Sequence, residues 1–383
     1  MLNLKQRGFG IVTVDTARQP CFSDLVEASL HVPGLKADVV IPVVREYHQR
    51  YLIDGVARFH ELSVPIANEV ALALELPHVA PELIDVSTNK YAMRSRMSAC
   101  GIACPAFGAA RTVKEARRLA AELGFPVVIK PQVGGASFGV TRLDDMDAVD
   151  RFFEHAAIFW EPRIFIIERF LPGSEISVET ITFERPQHIA LFEKPQILDG
   201  PFFLEHTFVT PSRYDQVTVE AAYAAVSSMI LRLGLQCCIT HTELRLTPQG
   251  PMVLEFGMRP IGYPGSLCVR HTTGVDLIEA MGLIAIGRDD LTHTRPASAY
   301  CGWRYLTVPR AGRLAGVRNV EQARGLEGVV SCHIWARDGQ ALLLPPQGFN
   351  YILGYVAAEG ASFDQVCARL EQAQAAIQID VVA

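Results

Sequence analysis

Charge is scarce in this sequence, and it contains no long basic segment. Among its 383 residues, 35 Lys and Arg stand against 41 Asp and Glu, which gives a net charge of −6, and only 20% of residues are charged. Binding to nucleic acid phosphates requires a basic surface, so the composition argues against DNA or RNA as the main partner. Hydrophobic residues make up 49% of the chain, which is enough for sizeable cores and argues against disorder.

The sequence also lacks a cysteine framework. Its nine cysteines are an odd number and are scattered. Cys100 with Cys104, and Cys237 with Cys238, have no second pair and no His-x-His partner to complete a zinc site. Free thiols are therefore expected.

No uninterrupted hydrophobic run long enough for a membrane span occurs. The longest stretch without a charge, 339–358, carries Pro345, Pro346 and Asn350 in its middle. Unpaired backbone groups are costly in lipid, so this stretch predicts two strands and a turn. The amino terminus has no apolar segment before a cleavage site, and we expect a cytoplasmic protein without membrane association.

Length and residue pattern predict a mixed α/β (α+β) protein in three parts. The first is an N-terminal α/β unit, the second is a central region with a smaller subdomain at about 105–170, and the third is strand-rich. We expect their bounds at 1–88, 89–287 and 288–383.

Local patterns predict particular elements within these parts. The β-branched runs 9–15 and 37–44 predict strands in the N-terminal unit. Helical spacing or capping signals predict helices at 65–76, 89–99, 113–123, 148–155, 219–233, 275–286 and 363–376.

A lysine at the end of an apolar strand stands before a glycine-rich turn. Lys130 closes Val127-Val-Ile-Lys-Pro131, and Gly134-Gly-Ala-Ser-Phe-Gly139 follows. Small residues let backbone N–H groups approach an anion, and the lysine adds charge. No Gly-Lys-Ser/Thr opens a helix here, so this is not a Walker A loop. The alternative is a lysine whose ammonium reaches solvent beside an ordinary hairpin.

Two further segments carry acidic residues in suggestive positions. In the first, Glu168-Arg-Phe-Leu-Pro-Gly-Ser-Glu175, the end of a strand can offer backbone groups to a flat base, with Glu175 near ribose hydroxyls. The alternative is a strand end whose two carboxylates are solvated.

The second segment, 241–259, predicts a hairpin. A three-residue loop Pro248-Gln-Gly250 would set Glu243 directly opposite Glu255, whereas a shift of the pairing by one residue would leave them diagonal. Facing carboxylates repel unless a cation lies between them, and Mg²⁺ suits such oxygens. The alternative is an exposed charged hairpin.

Taken in order, these segments resemble the ATP-grasp superfamily, and closely its carboxylate–amine ligase branch, which includes bacterial L-amino-acid ligases. The resemblance covers about 89–287 and rests on Asn89-Lys90…Arg94, Val128-Ile-Lys130-Pro, Gly-Gly-Ala-Ser-x-Gly, Glu168…Gly173-x-Glu175, His-Thr-Glu243…Glu255-x-Gly-x-Arg259 and Thr273-Gly-Val-Asp-Leu277. It implies an ATP-grasp fold with a preceding N-terminal domain and a mobile lid. It also implies an ADP-forming enzyme that makes carbon–nitrogen bonds through an acyl phosphate.

The resemblance assigns roles residue by residue. Glu243 and Glu255 would bind Mg²⁺, with Mn²⁺ as a substitute, while Arg259 and Lys130 would act in catalysis. The ATP-binding set would comprise Lys90, Lys130, Gly134, Gly135, Ala136, Ser137, Gly139, Glu168, Phe170, Leu171, Glu175, Lys194 and Leu254. Substrates would be small carboxylates and amines, contacted by Glu205, His206, Arg270 or His271.

Two departures from the family pattern bear on the site. Where many members carry an Asn metal ligand after the second Glu, this sequence has Gly257, and Pro260-Ile-Gly262 replaces the usual paired glycines after Arg259. The identities of the carboxylate and the nucleophile stay open, as do the role of His241 and homodimer formation. The alternatives are a carrier-protein thiol or bicarbonate as the other reactant, or a non-catalytic ATP-binding protein.

Overall fold

A computed structural model describes residues 2–18, 23–135, 137–159, 164–198 and 201–383, with the side chains of 156–159 and 196–198 left aside. Within these ranges, none of the helices combines the length and the apolar content that crossing a bilayer requires.

Among its described residues, the N-terminal unit contains one parallel strand pair and four α-helices, and 37–44 form part of a helix where the sequence predicts a strand. Valines 40 and 44, four residues apart, are both buried on the α2 face that packs against α3. A β-branched run alone does not distinguish a strand from a buried helix face. The elements are α1 (Leu2–Gln6), β1 (Val12–Asp15), β2 (Ala28–His31), α2 (Ala37–Arg50), α3 (Val64–Ala73) and α4 (Ile84–Thr88).

A four-stranded antiparallel sheet with two helices forms the lid, preceded by α5 (Lys90–Ala99), which Asn89 caps. Thr112 and Glu115 form a reciprocal capping box, which explains why the predicted bounds of α6 are confirmed. Strand order is β3-β6-β4-β5. The lid elements are β3 (Phe107–Ala110), α6 (Val113–Leu123), β4 (Val127–Pro131), β5 (Thr141–Leu143), α7 (Met146–Phe159) and β6 (Phe165–Arg169).

An eight-stranded sheet forms the body of the molecule, in the order β11-β10-β7-β8-β9-β12-β16-β14. Its first five strands in this order are β11 (Gly250–Gly257), β10 (Cys238–Thr247), β7 (Ser174–Thr182), β8 (Pro186–Leu198) and β9 (Leu204–Thr210). Helix α8 (Gln216–Leu233) packs Met229 and Ile230 into the core that contains Ile176 and Val178 of β7.

The same sheet continues into the C-terminal part, so it crosses the expected boundary at 287/288. Helix α9 (Tyr263–Thr273), which the sequence did not predict, and helix α10 (Leu277–Ala285) pack on it beside Trp303. The uncharged stretch 339–358 forms a short strand, a connection and most of β16, as predicted. The remaining elements are β12 (Tyr300–Thr307), β13 (Gly312–Arg318), α11 (Val320–Arg324), β14 (Val329–Ile334), β15 (Ala341–Leu342), β16 (Ile352–Gly360), α12 (Phe363–Ala376) and β17 (Gln378–Val382).

Candidate active site

A cleft of about 500 Å³ lies where the lid, the large sheet and the N-terminal unit meet. It collects most side chains that the sequence motifs singled out, from segments far apart in the chain. The predicted residues that line it are Lys90, Lys130, Gly134, Gly135, Ser137, Glu168, Phe170, Leu171, Glu175, Glu205, Glu243, Leu254, Glu255 and Arg259.

Five other predicted residues do not line the cleft, and a sixth is not described. Ala136 is outside the described residues, and among those described, Gly139, Lys194, His206, Arg270 and His271 do not line the cleft. At the far end of α9, His271 Nδ1 lies 2.8 Å from Glu359 Oε2, and Arg270 lies 3.7 Å from Asp276. Burial, and secondarily Arg304, lowers the pKa of His206 to about 4.

Glu243 and Glu255 stand directly opposite each other on β10 and β11. The predicted pairing is therefore correct, but its predicted cause is wrong. Thr247 pairs with Gly250, so the turn has two residues, and a β-bulge at Leu254 supplies the one-residue shift. The buried Arg94 donates to the Leu254 carbonyl, which ties the bulge to α5.

Two polar side chains in sequence, Glu179 and His241, support Glu243. The buried Glu179 lies 2.5 Å from His241 Nδ1, and His241 Nε2 lies 3.4 Å from Glu243 Oε1. Burial opposes the charged form of His241, but Glu179 more than offsets it and raises the pKa of His241 to about 9. Burial likewise opposes ionisation of Glu243, yet Lys194 and His241 hold its pKa below the ordinary range.

Lys90 connects the second acidic residue to the glycine-rich loop. Its Nζ lies 3.3 Å from Glu255 Oε2 and donates to the Gly134 carbonyl at 2.5 Å. Asn89 accepts a 2.9 Å hydrogen bond from Gln132, and the Lys90 N–H donates to the Gln132 carbonyl. The start of α5 is thereby held against the end of β4.

Glu168 is buried between two cations. Its oxygens lie 2.5 Å from Arg94 Nε and 2.7 Å from Lys130 Nζ. Although burial alone would raise the pKa of this carboxyl, Arg94 and Lys130 outweigh it and lower the pKa. Lys130 is thus positioned at the cleft by an acid at the exit of β6.

Lys194 lies at the centre of three carboxylates that could otherwise resemble a metal site. Glu175, Glu205 and Glu243 place oxygens within 4.8 Å of one another, but the Lys194 ammonium is paired with all three, at 2.6 Å from Glu175 and 3.4 Å from Glu243. These acids raise the pKa of Lys194 despite burial. Burial also raises the pKa of Glu205 to about 7.

Arg259 is paired with Glu61, a residue that the sequence patterns did not single out. Arg259 Nε lies 2.8 Å from Glu61 Oε2, although 198 positions separate them. Burial raises the pKa of Glu61, against the opposing effect of Arg259. A β-carbon on Gly257 would lie only 2.6 Å from the same oxygen, so the glycine makes room for this carboxylate.

Two aromatic rings and the Arg245 guanidinium form one wall of the cleft. The rings of Phe170 and Phe203 are stacked with centroids 6.2 Å apart. The Arg142 guanidinium lies 4.6 Å from the Phe170 centroid, and that of Arg245 lies 5.7 Å from the Phe203 centroid. Such a wall suits a flat heterocycle.

Known families and proteins match this chain over most of its length. The family described as ATP-grasp domain matches residues 123–266, and the L-amino acid ligase C-terminal domain 2 matches residues 304–382. The chain is 27% identical to the uncharacterized protein y4rH of Sinorhizobium fredii, over 90% of this chain and 73% of that protein. It is 24% identical to the alanine–anticapsin ligase of Bacillus subtilis, over 65% of this chain but only 58% of that enzyme.

A solved structure shares the fold. The L-amino acid ligase of Bacillus licheniformis superposes with a TM-score of 0.84, covering 99% of this chain and 94% of the other, at 23% identity. At that level of identity the likeness concerns the fold alone.

Proposed function

We propose that this protein joins a small carboxylate to an amine and converts ATP to ADP and phosphate. The chain belongs to the ATP-grasp superfamily and to its carboxylate–amine ligase branch. The observation that carries the proposal is the facing pair Glu243 and Glu255, with Lys90, Lys130 and Arg259 around the same cleft. Similarity to an alanine–anticapsin ligase supports amino acids as one substrate class.

The two facing acids fit a divalent cation. Their contacts with Lys194, His241 and Lys90 are 3.3–3.4 Å, longer than the roughly 2.7–2.9 Å of a charge-assisted hydrogen bond. Both side chains are also partly open to the cleft, with 21% and 29% of their surface exposed. Glu243 and Glu255 would hold Mg²⁺, which when bound neutralises charge on the ATP phosphates.

Different residues of this chain bind the phosphates, bind the base and stabilise the reacting carboxyl group during phosphoryl transfer. Lys90 and Lys130 attract the phosphates, and the aromatic wall holds the base. A substrate carboxylate oxygen attacks the γ-phosphorus, the bond to the bridging oxygen of ADP breaks, and an acyl phosphate forms. Arg259 stabilises negative charge on the reacting carboxyl group.

Amide formation completes the reaction. The amine nitrogen attacks the acyl carbon, the carbon–oxygen bond to phosphate breaks, and the amine loses a proton. The lid, which carries Lys130 and the glycine-rich loop, keeps water from hydrolysing the acyl phosphate. Glu175 of β7 also lines the cleft, where Lys194 and Arg245 hold its carboxylate.

Product analysis tests the proposal. Purified protein with ATP, Mg²⁺ and paired amino acids should release ADP and phosphate, and added hydroxylamine should trap the acyl group as a hydroxamate. Release of AMP and pyrophosphate would contradict the proposal. Hydroxamate formation without amide would instead indicate a different acceptor, such as a carrier thiol.

Substitution of one facing acid provides a second test. Glu255→Gln should weaken the cation site, so that less positive charge offsets the charge on the phosphates. The expected result is a kcat lower by about 100-fold or more. Glu184→Gln, at an exposed carboxylate in the β7–β8 turn, is the matched control and should retain wild-type turnover. Equal activity of the two variants would contradict a metal-binding role for Glu255.

A further inference from the structure

Two cysteine side chains meet where helix α9 packs against strand β12. The Cys301 thiol donates a hydrogen bond to the Cys268 sulfur, and the two sulfur atoms lie 3.2 Å apart. The residues stand 33 positions apart in the chain, and both are fully buried in the core cluster that also contains Trp303. The fold thus brings together two thiols for which the proposed reaction has no use.

The separation of the two sulfur atoms is close to that of a disulfide. An S–S bond is about 2.05 Å long, so the atoms need to approach each other by roughly 1 Å. Cys268 lies in the middle of α9, and Cys301 is the second residue of β12. Rotation of the two side chains together with a small shift of the helix can supply this movement.

An open hollow beside α9 brings solvent close to the pair. It has a volume of about 700 Å³, and its lining includes Pro264 of α9 and Tyr355 of β16. Pro264 precedes Cys268 by four residues, so their side chains lie on the same face of the helix, one turn apart. Burial raises the pKa of Tyr355, and Cys268 is among the groups that act on this ring electrostatically. A small oxidant in the hollow therefore needs only a local opening of one helical turn to reach the thiols.

Oxidation of the pair balances with hydrogen peroxide as the oxidant. One thiol sulfur attacks a peroxide oxygen, the O–O bond breaks, and a sulfenic acid and one water form. The second thiol sulfur attacks the sulfenic sulfur, the S–O bond breaks, and a disulfide and a second water form. Because the second sulfur is only 3.2 Å away, this step is favoured over further oxidation to a sulfinic acid.

Burial makes this oxidation slow. It raises the pKa of the Cys268 thiol, and Cys301 acts in the same direction. The thiolate is the reactive form of cysteine, and little of it is present near neutral pH. The pair therefore stays reduced during a short exposure to oxidant and reacts during a sustained one.

We infer that Cys268 and Cys301 are a modification site, which hydrogen peroxide converts slowly and reversibly into a disulfide between α9 and β12. Pro264 of α9 and Trp303 of β12 both line the cleft, so the bridge joins two parts of the cleft wall covalently. A thiol reductant restores both cysteines by exchange. The inference goes beyond the proposed function and does not depend on it.

Peptide mapping of the full chain after several hours in hydrogen peroxide tests this site. Remaining thiols are alkylated in denaturant, and digestion should then yield two peptides joined through Cys268 and Cys301 that dithiothreitol separates. The oxidised protein should also unfold at a temperature a few degrees higher than the reduced protein, since the bridge constrains the unfolded chain. Dithiothreitol should reverse this shift.

Variants separate the pair from the other cysteines. Cys301→Ala, or Cys268→Ala from the side of the helix, should give neither the joined peptides nor the shift. Cys332→Ala is the matched control and should keep both, because Cys332 is a buried thiol in a different core cluster. Recovery of Cys268 and Cys301 as alkylated thiols, or as sulfinic acids without a bridge, would overturn the inference.

Discussion

Glu179 is a single buried carboxylate that serves two parts of the site. One oxygen lies 2.5 Å from His241 Nδ1, and the other accepts a 3.0 Å hydrogen bond from the Ile261 N–H. Through His241 it orients Glu243, and through Ile261 it holds the segment that carries Arg259. Glu179 is accordingly a positioning residue that the motif pattern left unassigned.

The Glu179–His241 contact predicts a pH dependence of stability. The pKa of His241 is raised to about 9 in the folded protein, so its stabilisation is complete below its ordinary pKa of about 6.5 and is lost as the pH rises through 9. The free energy of unfolding should therefore fall between these values, by on the order of 1 kcal/mol per pH unit.

Urea unfolding at a series of pH values measures this effect. In Glu179→Gln the neutral amide no longer favours the charged histidine, so most of the decline should disappear. Parallel pH curves for wild type and variant would show that His241 does not carry the effect.

The residues that sequence reasoning found and missed differ in how local their signals are. Lys130, Glu243 and Glu255 stand in short motifs, and the cleft collects them as expected. Glu61 has no such signal, because its partner Arg259 is 198 positions away. The family resemblance assigns Lys194 to the ATP-binding residues, yet the acids around its ammonium come from three other strands or strand ends. Ion pairs between residues this far apart in the sequence can be identified only from the folded structure.

At the scale of elements, two predicted helices have the bounds that the structure shows, and both begin at a capping side chain. The bounds of α6 and α12 agree with the prediction, and Thr112 and Ser362 cap their first turns. The sequence predicts a strand over 37–44, where the valine-rich α2 forms, and it predicts no helix over 263–273, where α9 forms in a segment with Gly, Pro and Thr. Tertiary packing decided both.

Gly173 stands where the lid strand β6 leads into β7, and it has no room for a side chain. Its φ is +122°, and a β-carbon would lie 1.9 Å from the Leu246 carbonyl oxygen. Gly173→Ala should therefore lower the free energy of unfolding by about 2 kcal/mol or more. Denaturant unfolding measures this directly.

Gly34→Ala is the matched control for that substitution. Nothing lies within 4 Å of the β-carbon it would add, and the φ of Gly34 is not in the left-handed region. Its stability should stay within about 0.5 kcal/mol of wild type. A similar loss in both variants would mean that the contact with Leu246 is not the cause.

At the scale of the whole molecule, the lid touches the C-terminal part through two rings. Phe138, in the glycine-rich loop, and Phe349, between β15 and β16, have centroids 4.5 Å apart. The Arg142 N–H also donates to the Pro201 carbonyl at 2.7 Å. These contacts hold the lid over the cleft.

Removal of one ring should uncouple ATP consumption from amide formation. In Phe349→Ala the lid loses its contact, water reaches the acyl phosphate, and the amide formed per ADP should fall several-fold. Phe349→Tyr keeps the ring and should keep the wild-type ratio. Parallel assays of amide and ADP give this ratio. An unchanged ratio in Phe349→Ala would show that the contact between Phe138 and Phe349 does not keep water from the acyl phosphate.

The shared volume of Glu61 and Gly257 limits how this architecture can be recombined. If the N-terminal unit were exchanged for that of a relative, a different residue could stand at position 61, next to the space that Gly257 leaves open for a carboxylate. Conversely, a larger residue at position 257 would collide with Glu61. In a laboratory chimera, the two positions should therefore be exchanged together. The N-terminal unit is thus not an independent module, because Glu61, which lines the cleft, belongs to it.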